Sequence, residues 1–195
     1  RAWDSRGGNL HLSVLLRPEE PIRHAPQWAL LAAVALADAV APLLSDLSAL
    51  ALKWPNDLLL NGAKAAGILS EAVADGQGGI AWLCLGIGVN LAHAPEVPGR
   101  ATACLADLGI APPAPEAFAG ALLAALEHRR TQRLTEGFAP IRAAWLEHGP
   151  APDTHLAIRR GTAEVAGRFA GLAEDGSLLL ATGGRVHAVA SGEVA

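Results

Sequence analysis

The chain has 195 residues, 51% of them hydrophobic and 17% charged, with a formal net charge of -4. That apolar content excludes disorder of the whole chain, and the negative balance excludes a broad basic field for gripping duplex nucleic acid by its phosphates. The length suits one core, or one domain of about 150 residues with a small appendage.

In chain order, residues 10 to 15 alternate, with Leu10, Leu12 and Val14 on one side and His11, Ser13 and Leu15 on the other, which predicts a strand ended by Pro18. Gln27 to about Val40, just after Pro26, is apolar almost all round and predicts a buried helix. From Leu47 to Asn90 short apolar runs are separated by turn residues, Asn61-Gly62 among them, which predicts an antiparallel meander. A second helix is expected where Phe118, Leu122 and Leu126 recur at i+4, and a third with Phe138, Ile141 and Trp145 on one stripe, stopped by Gly149 and Pro150. Residues 154 to 195 read as four or five short strands around turns at Arg160-Gly161, Asp175-Gly176 and Gly183-Gly184, a small barrel packed on the first domain.

Cys84 and Cys104 lie in apolar runs, so a disulfide scaffold is not expected and a reducing cytoplasm is the default. The apolar stretch from Trp28, cut by Asp38 and Pro42, is read as too short for the roughly 20 residues of a membrane span. No signal peptide is expected before it. Because the sequence opens on Arg1 and contains no methionine, it reads as a fragment or the ordered part of something longer.

Of the 15 basic residues only two are lysines, Lys53 and Lys64, both inside KWPNDLLLNGAKAAGILSE, residues 53 to 71. Lysine carries a compact charge with three donors on a thin stem, suited to a narrow pocket where it meets a carboxylate or phosphate. The alternative is two surface lysines present by chance. Asn56-Asp57 beside them offers an amide and a carboxylate that could serve Mg²⁺ and polyphosphate, or an ordinary Asx turn. Along residues 80 to 90, Leu83, Leu85, Ile87 and Val89 share one face, and Trp82, Cys84, Gly86, Gly88 and Asn90 the other. The two glycines notch that second face, which either admits a ligand ending at Asn90 or receives a neighbouring aromatic ring. Glycines beside Arg1 and Arg6 suggest an anion-binding turn, or a plain loop. The seven histidines have no metal-ligand spacing, and no nucleophile elbow, P-loop or dinucleotide fingerprint occurs. Cys84 is expected to be a small buried hydrophobe.

Residues 53 to 71 closely resemble the signature of biotin protein ligases, and RAWDSRGGNLHLSVLLRP is similar to the segment after their glycine-arginine adenylate loop. LGIGVNL resembles their Gly-x-Gly-x-Asn strand, and the C-terminal residues the SH3-like domain that closes bacterial members. The resemblance implies an α+β fold of the class II aminoacyl-tRNA synthetase and biotin ligase kind, a mixed or antiparallel sheet with helices on one face. Residues 1–149 would be an N-terminally incomplete ligase domain and 150–195 the SH3-like barrel. It implies ATP, biotin and Mg²⁺ as substrates and cofactor, and a biotin carboxyl carrier protein of a carboxylase as partner, in the cytoplasm.

By the same resemblance Lys64 and Lys53 are the catalytic lysines, Lys64 reaching biotin's carboxylate and the α-phosphate. Arg1, Trp3, Asn56, Asp57, Gly67, Leu69, Gly86, Gly88 and Asn90 bind the substrates, with Asp57 the metal contact. Three departures stand out: the Gly-Arg-Gly-Arg loop itself, a tryptophan after the Gly-x-Gly-x-Asn strand, and a winged-helix segment are all missing from these residues. No membrane or nucleic-acid contact is expected, and a homodimer is allowed. A lipoate-type ligase and a non-catalytic biotin-binding regulator remain the alternatives.

Overall fold

The computed structural model describes residues 7–194; the expectations for Arg1, Trp3 and Arg6 lie outside them. A first antiparallel sheet holds β1 (Leu10–Leu16), β2 (Leu50–Lys53), β3 (Asp57–Leu60), β4 (Ala63–Ala74) and β5 (Ile80–Val89), in the order β1-β5-β4-β3-β2. The meander from β2 to β5 is the expected one. β1 joins its far side against β5, with Leu10 opposite Val89, a pairing over some eighty residues that local pattern does not reveal. The β3–β4 hairpin turns on Asn61 and Gly62, both at positive φ (48° and 77°), the backbone that a tight two-residue connection requires.

α1 (Ala25–Val40) packs on the inner face of this sheet, and α2 (Pro115–Glu136) and α3 (Ala139–His148) pack against α1. The core is that interface: Leu83, Leu85, Leu58 and Leu60 from the strands against Leu31, Ala35 and Leu36 of α1, all almost fully buried. On α2 the buried positions are Phe118, Leu122, Leu126 and Arg133, and on α3 Ile141 and Trp145. Short 3-10 turns extend α1 at both ends, so Ile22–Leu43 makes a 22-residue helical run long and apolar enough to cross a bilayer, longer than the sequence suggested. Twelve of the sixteen α1 residues are buried within the protein, which accounts for its apolar surface as that of a central helix.

The second sheet comprises β6 (His155–Arg160), β7 (Ala163–Leu172), β8 (Leu178–Thr182), β9 (Arg185–Val189) and β10 (Glu193–Val194), in the order β10-β6-β7-β8-β9. The five strands and their turns fall where expected, but the barrel does not close among the described residues. β10 contributes two residues and pairs with β6 alone, leaving β9 as an edge. The β7–β8 turn docks on the first sheet and α1. There the Trp54 Nε1–H donates to the Gly176 carbonyl (3.2 Å) and Gln27 Nε2 to that of Glu174 (2.7 Å).

Trp54 is buried, so Trp54→Phe leaves the Gly176 carbonyl without a partner while keeping most of the ring volume. We expect a loss of about 1–3 kcal/mol in unfolding free energy, read as a lower denaturant midpoint at unchanged slope.

Candidate active site

The helices cover one face of the first sheet; the chemistry-bearing residues stand on the other. Register places His11 opposite Gly88, Gly88 opposite Gly67, Gly67 opposite Asp57 and Asp57 opposite Lys53. These five residues therefore form one rung across all five strands. The next rung runs Ser13, Gly86, Leu69.

Lys64 should not belong to this face. It lies three residues before Gly67, and strict alternation puts residues an odd distance apart on opposite faces. A bulge changes the parity: Leu58 pairs with Ala66 and Leu59 with Lys64, so Ala65 is the extra residue on β4. Ala65 and Ala66 are both buried, and Lys64 emerges on the open side with Gly67 and Asp57. There the Lys64 ammonium forms a hydrogen-bonded ion pair with Asp57 Oδ1.

Gly67 makes the pair possible. A Cβ on that residue would stand 3.0 Å from Lys64 Nζ, 3.2 Å from its Cε and 3.5 Å from Asp57 Oδ1. The lysine stem thus lies across the position where any other residue would project a side chain.

The backbone of Lys64 is held on both edges. β3 pairs with one, and on the other Lys64 N–H donates to Ala101 O (2.9 Å) while Ala103 N–H donates to Lys64 O (2.9 Å). Asn90 ties the same segment down, its Nδ2 donating to Ala103 O (3.0 Å) and its N–H to Ala65 O (2.8 Å). The Asn56 amide donates to Ile68 O, and Ile68 N–H returns to Asn56 O (2.9 Å). Both asparagines thus use an amide nitrogen to brace the backbone around Lys64. Lys53 lies on the open face with no ion-pair partner among the described residues.

Among the described residues nothing fills the space at Gly86, where an added Cβ would meet only Leu69, at an ordinary 3.8 Å. Leu69 itself is 61% exposed, an apolar wall beside the hollow. Cys84, expected to be buried, is partly exposed, because it shares the open face with Gly86 rather than the core face with Leu85.

A cavity of about 510 Å³ lies elsewhere, on the helical side, lined by Glu20, His24, Arg133, Phe138, Arg142 and Glu174 among others. It shares no residue with the rung, and Arg133 there is already engaged by Glu20 and by the Trp28 and Phe138 rings. We place the site on the sheet face, where cations, a carboxylate and an open hollow converge. The donor set does not suit a resident metal: among the described residues no three His, Cys, Asp or Glu side chains gather, and Asp57 is taken up by Lys64.

Two residues that sequence reading left unassigned belong to this neighbourhood. His11 completes the rung, a position its alternation with Leu10 and Leu12 already implied. Asn9 carries four hydrogen bonds to residues 91–93, which nothing in its local sequence announces.

The comparisons with known proteins agree with this architecture. The sequence model of the biotin/lipoate A/B protein ligase family matches residues 2–147, and that of the biotin protein ligase C-terminal domain matches residues 156–195. The chain belongs to the biotin/lipoate A/B protein ligase family. It is 39% identical to a biotin--[acetyl-CoA-carboxylase] ligase of Paracoccus denitrificans, over 92% of this chain and 77% of that protein. It is 31% identical to the bifunctional ligase/repressor BirA of Bacillus subtilis, over 100% of this chain and 60% of that protein. The biotin protein ligase of Aquifex aeolicus, solved in complex with biotin and ATP, shares the fold with a TM-score of 0.81 at 22% identity, covering 100% of this chain and 81% of that one.

The two cysteines offer a check on the geometry. Burial pushes the Cys104 thiol up from its ordinary value, whereas Cys84 stands on the open face. A maleimide at neutral pH is expected to label Cys84 at least about tenfold faster than Cys104, read by peptide mass spectrometry.

Proposed function

We propose that the protein activates biotin with ATP to biotinyl-5'-AMP and transfers the biotinyl group to a lysine of a biotin carboxyl carrier protein. One observation carries this reading: the Lys64–Asp57 pair lies across Gly67, one rung from the open notch at Gly86. The name of the Paracoccus relative supports it.

Two anions, biotin's carboxylate and the nucleotide's α-phosphate, must approach within bonding distance against their repulsion. An ammonium has three donors, of which Asp57 accepts one. The remaining two are available to the carboxylate and the α-phosphate oxygens. Lys64 then reduces the repulsion and stabilises the charge that builds on the phosphorus in the transition state. Asp57 fixes where that ammonium stands, and the bulge and the 101–103 segment fix its backbone.

The carboxylate oxygen bonds to phosphorus as the bond to pyrophosphate breaks. In the second step the carrier's neutral lysine amine attacks the carbonyl carbon of the mixed anhydride. The C–O bond to AMP breaks, and the amine loses a proton to solvent.

In this reading the notch beside Gly86 and Gly88, walled by Leu69, receives the flat bicyclic ring of biotin. Lys53, Arg1, Trp3, Asn56 and Asn90 belong to the nucleotide side, the last two through the backbone they brace. Mg²⁺ would arrive as part of the ATP substrate, and Asp57, beyond its pair with Lys64, would be the carboxylate offered to it. Residues 1–149 act as the ligase unit and 150–195 as an SH3-like unit, in a cytoplasmic protein that is free to act as a homodimer.

Lys64→Ala is expected to lower biotin-dependent pyrophosphate release by about 100- to 1,000-fold, with transfer to a carrier domain lost on streptavidin blots. Turnover at the wild-type rate would remove the lysine from the mechanism. A lipoate-type ligase is the competing reading, and calorimetric titration separates them. Tight lipoate binding with no biotin binding would replace the function proposed here.

A further inference from the structure

Asn9, the residue before β1, is half-buried, and its side-chain oxygen accepts from three successive backbone N–H groups: Leu91 (3.0 Å), Ala92 (3.1 Å) and His93 (3.1 Å). Its Nδ2 donates to the His93 carbonyl (2.8 Å). Three converging donors can meet only an oxygen, so the amide orientation follows from the network. Gly8 packs into the same contact: at φ 95° it brings the turn so near that an added Cβ would stand 3.0 Å from the Ala92 Cβ.

The loop so clamped is the one that braces Lys64. It leaves β5 at Asn90 and closes on itself through Leu105 N–H to Asn90 O (3.2 Å) and Ala106 N–H to Leu91 O (3.2 Å). Inside it, Thr102 Oγ1 donates to Pro95 O (2.6 Å). Its returning limb, residues 101–103, supplies both hydrogen bonds to the free backbone edge of Lys64. One limb is therefore pinned to β1 by Asn9 while the other limb holds the reacting lysine.

Resting on the ligase reading, we propose that Asn9 is a positioning residue for adenylate formation, acting through this loop on Lys64. It touches neither substrate. Its oxygen occupies a three-amide cradle and keeps the loop seated, so the backbone of Lys64 stays where the Asp57 pair and the notch require it.

Chemistry predicts an asymmetry between two substitutions. In Asn9→Asp a carboxylate accepts the same three N–H groups and gives up only the donation to the His93 carbonyl, whereas in Asn9→Ala the three donors are left to water.

The test compares the wild-type intact protein with both variants, using three readouts. For Asn9→Ala we expect amide exchange across residues 91–103 to accelerate by about tenfold or more, and kcat for biotin-dependent pyrophosphate release to fall by about 10- to 100-fold. The calorimetric Kd for biotin should stay within about threefold, because the notch lies in the paired part of the sheet. Asn9→Asp should recover kcat to within about fivefold.

Unchanged exchange or unchanged kcat in Asn9→Ala would overturn the proposal. So would an Asn9→Asp variant as impaired as Asn9→Ala, or a biotin Kd that rises in step with the loss of kcat, the mark of general loosening. If the wild-type protein releases no pyrophosphate with biotin, the ligase reading falls, and the exchange measurement still decides whether Asn9 clamps the loop.

Discussion

An ammonium and a carboxylate, brought together by a one-residue irregularity in a strand, organise the open face of the first sheet. Neither group is well solvated: the Asp57 side chain is 11% exposed and that of Lys64 28%. Each partner offsets the other's desolvation, and removing one would leave a largely buried charge alone. Their union depends on Ala65, the extra residue of the bulge, and on Gly67, which has no side chain to obstruct the lysine stem. The open hollow, the bracing loop and the neighbouring lysine are all placed relative to that pair.

The run Lys53-Trp54-Pro55-Asn56-Asp57 serves three directions at once. Lys53 and Asp57 project onto the open face, Trp54 reaches through the core to the Gly176 carbonyl, and Asn56 clamps the backbone of β4 at Ile68. The open face of the first sheet and the C-terminal sheet are thereby joined through one turn. A displacement of the β7–β8 turn would be felt at Trp54, one residue from Lys53 on one side and three from Asp57 on the other. The second sheet, which carries none of the residues assigned to substrates, still has a mechanical route to them.

Much of the architecture was legible in the residues. Alternation along β1 and β5 marked the core face and the notched face, because one side packs against helices and the other does not. Asn61-Gly62 announced its hairpin, since few other pairs accept positive φ twice. Two expectations went astray, for different reasons. Cys84 looks buried by its apolar neighbours, yet its own parity puts it on the open side. The C-terminal strands suggest closure, but the described part of β10 is too short to pair on two sides.

The site divides in the same way. Two lysines in a chain that otherwise uses arginine, a carboxylate between them and glycines alternating on a later strand were all determined by composition and order alone. Those signals are local, and local pattern reports residue type and face. What only the folded chain decided is which of these groups meet. The bulge that turns Lys64 toward Asp57, the pairing of β1 with β5 that brings His11 to the rung, and the grip of Asn9 on residues 91–93 each join positions through hydrogen bonds whose partners are set by the packing of the whole sheet. Sequence separation carries no record of such contacts, because register is a property of two strands together and not of either one.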